Sequence, residues 1–213
     1  PVINGTEFGV AVKIKAQKIK LIRVYESYPN YFMPGVDPFY TEAISLFERM
    51  GFKKFSDTSN LICDLVTQDF DTANDEKELS EKNIICKRAD ESDKEKISQW
   101  LKINFEAWIP EVAEAYKNNP ISLHIALEGD EMLGFSAHEV NNRGTGWFGP
   151  MGTSAAARGK GIGSILLKRC LNDMKEIGYN KAIIPWVGPI PFYMNYVNAK
   201  MQRIFWRYEK NME

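Results

Sequence analysis

The chain has 213 residues, 44% of them apolar, a length that allows one large or two small domains. Its 27 basic residues nearly balance 28 acidic ones, so the charge gives no sign of a nucleic-acid-binding surface. Three widely spaced cysteines form no disulfide framework and favour a reducing compartment, while two histidines are little material for a metal site. The longest apolar stretch, 182–197, contains three prolines and is too short to cross a bilayer, so we expect a cytoplasmic protein without nucleic-acid, membrane or metal partners.

The first part of the chain, residues 1–68, predicts a small unit of two strands and one helix. Lys18 to Tyr25 alternates apolar and polar residues, as a half-buried strand does. A helix is predicted over Pro38 to Met50, and Leu61 to Val66 predicts a closing strand. The acidic stretch 69–82 that follows is predicted to be a linker.

The second part, residues 83–213, predicts a larger unit. Its predicted elements are a strand, two helices, three antiparallel strands, a long helix, a strand, a short helix and a last strand. Gly129 lies in a hairpin signal between two of these strands, and Gly178 fits the end of the long helix. The apolar face of that helix is formed by Ile162, Ile165, Leu166, Cys170, Met174 and Ile177. The mixture predicts an α/β (α+β) fold with a mixed, mostly antiparallel sheet.

A faint internal echo connects the two parts. Met33 to Tyr40 resembles Ile184 to Tyr193, and in both places a strand, a proline-rich turn, a helix and a strand follow in order. The first part is therefore predicted to be a partial copy of the back half of the second part.

The segment Arg158-Gly159-Lys160-Gly161-Ile162-Gly163 lies between a predicted strand and the long helix. The start of a helix exposes unpaired backbone N–H groups and a partial positive charge. Glycines let the backbone come close to a ligand, and Arg158 and Lys160 add charge. The segment is therefore expected to bind a pyrophosphate.

Two familiar phosphate motifs do not match this segment. A P-loop needs Ser or Thr after Gly-Lys, but Gly161 follows Lys160. The dinucleotide fingerprint needs a third glycine where Ser164 stands. A nucleotide-binding protein is therefore disfavoured.

The pattern Arg/Gln-x-x-Gly-x-Gly/Ala is present as Arg158, Gly161 and Gly163, and it resembles the acetyl-CoA signature of the GNAT superfamily of N-acetyltransferases. The element order of residues 83–213 is also similar to that fold. The resemblance implies that the loop from Arg158 to Ser164 holds the CoA pyrophosphate. It also implies that main-chain groups of Met151 and Thr153 bind the pantetheine arm and the thioester carbonyl, in a gap between two diverging strands.

The resemblance also implies candidates for the catalytic groups. Tyr193 is the candidate acid that protonates the departing CoA thiolate, and Tyr196 is the neighbouring alternative. Glu139 or the adjacent His138 is a candidate base because of its position at the end of a central predicted strand, and a water chain is the alternative to both. The sequence departs from the family at the short helix, which is shortened by prolines and lacks the usual asparagine.

These features predict an N-acetyltransferase that moves an acetyl group from acetyl-CoA to a primary amine of a small molecule or peptide, without a metal. The acceptor is expected near Phe105 to Tyr116, where Glu106, Glu111 and Glu114 suit a cationic amine. The first part has Phe47 in place of the acid and no signature loop, so it is expected to be structural or substrate-shaping. A monomer and a homodimer both fit. The alternative function is a non-catalytic acyl-CoA-binding or regulatory module.

Overall fold

The computed structural model describes residues 19–25 and 33–212, and Lys18, the first residue of the first predicted strand, lies outside them. The described strands are β1 (Leu21–Arg23), β2 (Lys53–Asp64), β3 (Ile84–Arg88), β4 (Leu123–Glu128), β5 (Glu131–His138), β6 (Phe148–Thr153), β7 (Lys181–Ile184) and β8 (Lys200–Asn211). The described helices are α1 (Thr41–Arg49), α2 (Ala73–Ser80), α3 (Lys94–Asn104), α4 (Ile109–Ala115), α5 (Ile162–Ile177) and α6 (Ile190–Val197). From β3 onwards their order is the predicted one.

These elements form two compact units, and the chain changes unit inside β2, after Thr58, and inside β8, after Arg203. The smaller unit contains β1, α1 and the ends of β2 and β8 that lie outside residues 59–203. Residues 59–203 belong to the larger unit. The assignment of residues 1–68 as a partial, non-catalytic copy remains a prediction.

The smaller unit combines a strand pair with one helix. β1 runs antiparallel to β8, with Leu21 opposite Asn211. Helix α1 packs its apolar side on this unit's core, where Phe47 stacks on the buried Tyr208 with ring centroids 6.2 Å apart. The helix begins a few residues later than predicted, at Thr41.

The larger unit contains an antiparallel sheet in the order β3-β4-β5-β6. β4 and β5 form the hairpin predicted around Gly129, with Ile125 opposite Phe135. The last residues of β2, Leu61–Asp64, run antiparallel to β7. The prediction of an α/β fold with a mostly antiparallel sheet is confirmed.

Helix α5 packs on the face of β4 and β5 through an apolar stripe that includes Ile165 and Leu166. It ends at Gly178 as predicted, because φ of 107° at this glycine closes the last turn in the left-handed region. Ile177, predicted on the buried stripe, is exposed because it lies in the last turn. None of the described helices is both long and apolar enough to span a bilayer.

The acidic stretch 69–82, predicted to be a linker, contains helix α2 and lies within the larger unit. Thr72 Oγ1 donates to Glu76 Oε1 at 2.6 Å across the first turn of α2, and acidic residues suit a helix start. Leu79 is buried against α5 and β3. Two buried apolar residues, Phe70 and Leu79, and contacts of α2 with α5 therefore order a stretch whose composition is polar.

Candidate functional site

Two glycines in the left-handed conformation shape the loop before α5. Gly159 has φ of 78° and Gly161 has φ of 81°, values that glycine adopts without strain. Within the described part of the chain, no atom outside the neighbouring residues lies within 4 Å of the point where a β-carbon would stand on either glycine. The loop is therefore open to a ligand at both positions.

The first turn of α5 presents backbone N–H groups that have no acceptor within the helix. The hydrogen bond that starts the helix runs from the N of Ile165 to the O of Gly161, at 3.5 Å. The N–H groups of Ile162, Gly163 and Ser164 precede it and are free of intrahelical bonds. Ser164 Oγ donates to the O of Gly161 at 2.7 Å, so this hydroxyl holds the turn. The three free amides and the helix dipole favour an anion at this turn.

Two basic side chains flank this turn. Arg158 is exposed, and no ion pair joins it to another residue of the described ranges. Lys160 Nζ lies 3.1 Å from Glu128 Oε2, in a solvent-exposed pair. Exposed pairs contribute little free energy, so Lys160 can turn towards a more highly charged ligand at small cost. Both side chains can therefore add positive charge where the amides point.

β6 and β7 meet at one isolated bridge beside the start of β6, and the rest of β6 does not pair with β7. Trp147, just before β6, forms an isolated parallel bridge with Ile183 of β7, and the N of Ile183 donates to the O of Gly146 at 2.7 Å. From Phe148 to Thr153, β6 pairs with β5 and with no other strand of the described residues. One edge of β6 is thus unpaired, and it leads to the loop before α5.

Met151 and Thr153, the predicted pantetheine-binding residues, lie on this strand opposite Ser136 and Gly134 of β5. Met151 is half-buried and packs against the core that includes α5 and β7. Its Cε lies 3.8 Å from the position of a β-carbon on Gly163. The structure therefore brings Met151 and the loop together.

Tyr193 lies on the buried side of α6 and is 8% exposed. Its ring meets Phe148 of β6 edge-on, with centroids 6.4 Å apart, and Phe192 at 5.0 Å. Burial raises the pKa of Tyr193 to about 12, so the phenol keeps its proton at neutral pH. Tyr196, the alternative acid, is 50% exposed, and its ring contacts Phe192.

The candidate bases Glu139 and His138 have different surroundings. Glu139 adopts φ of 53° in the turn after β5, and its Oε2 accepts a hydrogen bond from the N of Gly144 at 2.9 Å. His138 is buried and points towards Asp173 of α5, at 3.2 Å. No hydrogen bond or ring contact within the described part of the chain joins either of them to Tyr193. The contacts give both residues structural roles, and their role as a base remains a prediction.

Asp173 is the centre of a buried polar cluster that the sequence analysis missed. Its Oδ1 accepts from Arg88 at 2.8 Å, and its Oδ2 accepts from His124 at 2.7 Å and from His138 at 3.2 Å. Burial opposes ionisation of Asp173, but these hydrogen bonds outweigh it and hold its pKa well below the usual range. Asp173 falls on the apolar stripe of α5, beside Met174, and a charge on such a stripe is the signal that predicts a buried network.

The three acidic residues of the predicted acceptor region differ in their availability. Glu111 is buried, where it accepts a hydrogen bond from Asn141, and burial raises its pKa. Glu114 pairs with Lys117. Glu106 is exposed, and no ion pair joins it to another residue of the described ranges. An acceptor amine is therefore expected to meet less negative charge here than composition indicates.

Comparison with known proteins agrees with this geometry. The sequence pattern of the "Acetyltransferase (GNAT) family" matches residues 85–193, just over half of the chain. No protein with a curated description matches the sequence.

Solved structures with this fold share little sequence with the chain. A fungal multi-domain GH3 β-N-acetylglucosaminidase, with a region described as a GCN5-related glucosamine N-acetyltransferase, is 19% identical with a TM-score of 0.78; the match covers 99% of this chain and 28% of that protein. A GCN5-related N-acetyltransferase from Sphaerobacter thermophilus is 15% identical with a TM-score of 0.65, over 99% of this chain and 70% of that one.

A third structure is a tandem GNAT protein from the clavulanic acid biosynthesis pathway, 12% identical with a TM-score of 0.59, over 95% of this chain and 67% of that one. At these identities the structures show a shared fold only. The match to the sequence pattern, the open loop at the start of α5 and the unpaired edge of β6 agree, and the chain belongs to the GNAT family of acetyltransferases.

Proposed function

We propose that this protein transfers the acetyl group of acetyl-CoA to a primary amine of a small molecule or peptide, by direct attack of the amine on the thioester. The observation that carries the proposal is the open loop at the start of α5, where two glycines expose the amides of the first helical turn. The unpaired edge of β6 leads away from that loop and offers main-chain groups to an extended ligand.

The pyrophosphate of CoA is the group that best fits the loop. Its oxygen atoms would accept hydrogen bonds from the amides of Ile162 to Ser164, while Arg158 and Lys160 supply positive charge from the sides. The backbone of Gly159 and Gly161 permits close approach because no side chain intervenes. The pantetheine arm would then follow β6 past Met151 and Thr153, by hydrogen bonds like those of an added strand.

Tyr193 is the proposed acid. Its phenol stays protonated near neutral pH because burial raises its pKa to about 12, and its ring lies against β6, whose free edge would bind the pantetheine arm. A neutral amine would attack the carbonyl, a main-chain N–H would stabilise the oxyanion, and Tyr193 would give its proton to the leaving thiolate. A water chain is the proposed route for the amine proton, because the carboxylate of Glu139 is held within its own turn.

An amino sugar is the acceptor to test first. The fungal protein similar in fold contains a region described as a glucosamine N-acetyltransferase, and this chain covers 28% of that protein. Glucosamine offers the primary amine that the proposed reaction needs. Other amino sugars, small amines and lysine-containing peptides form the comparison set.

The cellular compartment of the protein is proposed from the state of its cysteines. Cys63, Cys86 and Cys170 are free, which agrees with a reducing compartment, and we propose the cytoplasm. A monomer or a homodimer is expected, and light scattering distinguishes them.

A non-catalytic acyl-CoA-binding or regulatory module is the second candidate. The observation that favours it is the burial of Tyr193 among apolar side chains, since a buried aromatic can be purely structural. Such a protein would bind acetyl-CoA and release no thiol with any amine.

Calorimetry with CoA tests the common part of both candidates. Wild type should bind CoA, and Arg158→Glu should weaken binding by roughly tenfold or more, because one charge-assisted hydrogen bond is replaced by repulsion. Arg143 is an exposed arginine that pairs with Glu114, outside the loop before α5, so Arg143→Glu is the matched charge control and should bind CoA as wild type does. Equal affinity in all three proteins, or no binding by wild type, would reject CoA recognition by this loop.

A thiol-release assay then separates the two candidates. Release of CoA thiol with glucosamine or another amine of the panel supports the transferase. Binding of acetyl-CoA without release by any amine supports the module.

A further inference from the structure

Asp173 joins α5 to three neighbouring strands through one carboxylate. Arg88 is the last residue of β3, His124 lies in β4 and His138 ends β5. All three donate to Asp173, at 2.8, 2.7 and 3.2 Å. Asp173 is 8% exposed and His124 and His138 are each 2% exposed, so the network lies inside the interface between helix and sheet.

A second contact from α5 fixes the proton arrangement of this network. Arg169 Nε donates to His124 Nδ1 at 3.1 Å, and its Nη1 donates to Glu76 Oε1 of α2 at 2.6 Å. His124 Nδ1 must therefore accept, which leaves the hydrogen on Nε2, where it is donated to Asp173. Asp173 and Arg169 of α5 thus form hydrogen bonds with the two nitrogens of the same imidazole.

Such a network limits the position of a helix more strictly than apolar packing does. An apolar stripe keeps most of its contact when a helix slides or turns slightly, and cores tolerate repacking. A buried carboxylate without its donors costs several kcal/mol, so positions of α5 that break the network are disfavoured. The donors come from three adjacent strands, which fixes both the rotation of α5 and its position along its axis.

The other end of α5 is the proposed CoA-binding turn. Asp173 follows Ile162 by eleven residues, which is about 16 Å along a helix. Because a helix is stiff over this distance, a shift at Asp173 moves the amides of the first turn. A displacement of about 1 Å would stretch an amide–phosphate hydrogen bond of ordinary length beyond the hydrogen-bond range.

We infer that Asp173 is a positioning residue which, through His124, His138 and Arg88, sets where the phosphate-binding turn of α5 lies relative to the sheet. The inference rests on the proposed function for the role of that turn. It assigns the cluster a task in CoA binding, although no residue of the cluster is placed in contact with CoA.

The test compares two variants of α5. Asp173→Asn keeps the size of the side chain and removes its charge, whereas Leu171→Ala removes buried apolar volume from the same helix and leaves the network intact. A residue that only stabilises the fold lowers the folded fraction and leaves the affinity of the folded protein for CoA unchanged. A positioning residue changes the affinity of the folded protein itself.

We expect folded Asp173→Asn to bind CoA roughly tenfold more weakly than wild type, with KM for acetyl-CoA raised more than kcat is lowered. Leu171→Ala should bind as wild type at a temperature where both variants are folded. His138→Leu, which removes one donor of three, provides a milder variant if Asp173→Asn does not fold. Wild-type affinity in Asp173→Asn or, failing that, in His138→Leu would overturn the inference.

Hydrogen exchange in the absence of CoA keeps this result separate from the proposed function. Amides in the first two turns of α5 should exchange faster in Asp173→Asn than in Leu171→Ala at equal global stability. If wild type does not bind CoA, the proposed function is rejected. The exchange experiment then still tests whether Asp173 positions α5. Equal exchange in both variants would reject the positioning role.

Discussion

Gly163, in the first turn of α5, faces the ring of Phe192 on α6, and the ring's Cζ lies 3.4 Å from the point where a β-carbon on Gly163 would stand. Met151 of β6 approaches the same point from another side, at 3.8 Å. The phosphate-binding turn, the strand with the free edge and the helix of the candidate acid therefore meet at a residue without a side chain.

Replacement of Gly163 by leucine should displace Phe192. We expect Gly163→Leu to lower the free energy of unfolding by about 1–3 kcal/mol, because an overpacked contact forces neighbours to move, and to weaken CoA binding. Urea unfolding and calorimetry measure the two effects. Gly163→Ala should be close to wild type in stability, since alanine favours the helix and meets the ring near contact distance.

A double variant tests whether the ring of Phe192 causes the loss of CoA affinity in Gly163→Leu. Gly163→Leu combined with Phe192→Ala should recover part of the lost CoA affinity, because the smaller side chain leaves room for leucine. If Gly163→Leu alone binds CoA as wild type does, the contact has no influence on the turn.

Gly161 tests backbone strain without steric conflict. Its φ of 81° disfavours L-residues, while the space around it is open among the described residues. Gly161→Ala should therefore cost about 1–2 kcal/mol of stability, and Gly161→Asn should cost less because asparagine adopts this conformation more readily. Chemical denaturation compares them. Equal losses in the two variants would mean that strain is not the source of the effect.

Tyr193 and Tyr196 are separated by removal of their hydroxyls. Tyr193→Phe should lower kcat by about 10²-fold or more and leave CoA affinity unchanged, because the ring keeps its contacts with Phe148 and Phe192. Tyr196→Phe should retain most activity, since this side chain is half exposed to solvent. The opposite pattern would assign the acid to Tyr196.

Stability should fall on the acid side of neutrality because of His124 and Asp173. Burial lowers the pKa of His124 below its ordinary value of 6.5. As the pH falls below about 6.5, the unfolded chain takes up a proton at His124 before the folded chain does, so the free energy of unfolding decreases. The pKa of Asp173 is also lowered, so a second loss follows below its ordinary value of 3.8.

Urea unfolding between pH 8 and pH 5 measures the first loss. His124→Gln should be less stable than wild type at pH 8 and should show a flatter dependence on pH, because the buried imidazole is gone. An unchanged slope in the variant would show that His124 is not the group responsible.

Local patterns gave much of the larger unit correctly. The turn residues around Gly129 predicted the β4–β5 hairpin, and the apolar spacing from Ile162 to Met174 predicted α5, because both signals depend on near neighbours in the chain. The acidic composition of 69–82 was a poor guide, since α2 is ordered by one buried leucine and by contacts with α5 that composition does not reveal.

The sequence by itself determined the loop from Arg158 to Gly163, since glycines and a helix start act through the backbone at adjacent positions. Only the tertiary structure decided that the ring of Tyr193 packs against Phe148 of β6, and that His138 points to a carboxylate on α5. These outcomes depend on residues far apart in the chain, and their pairing is set by the packing of whole helices on the sheet, which local sequence patterns do not specify.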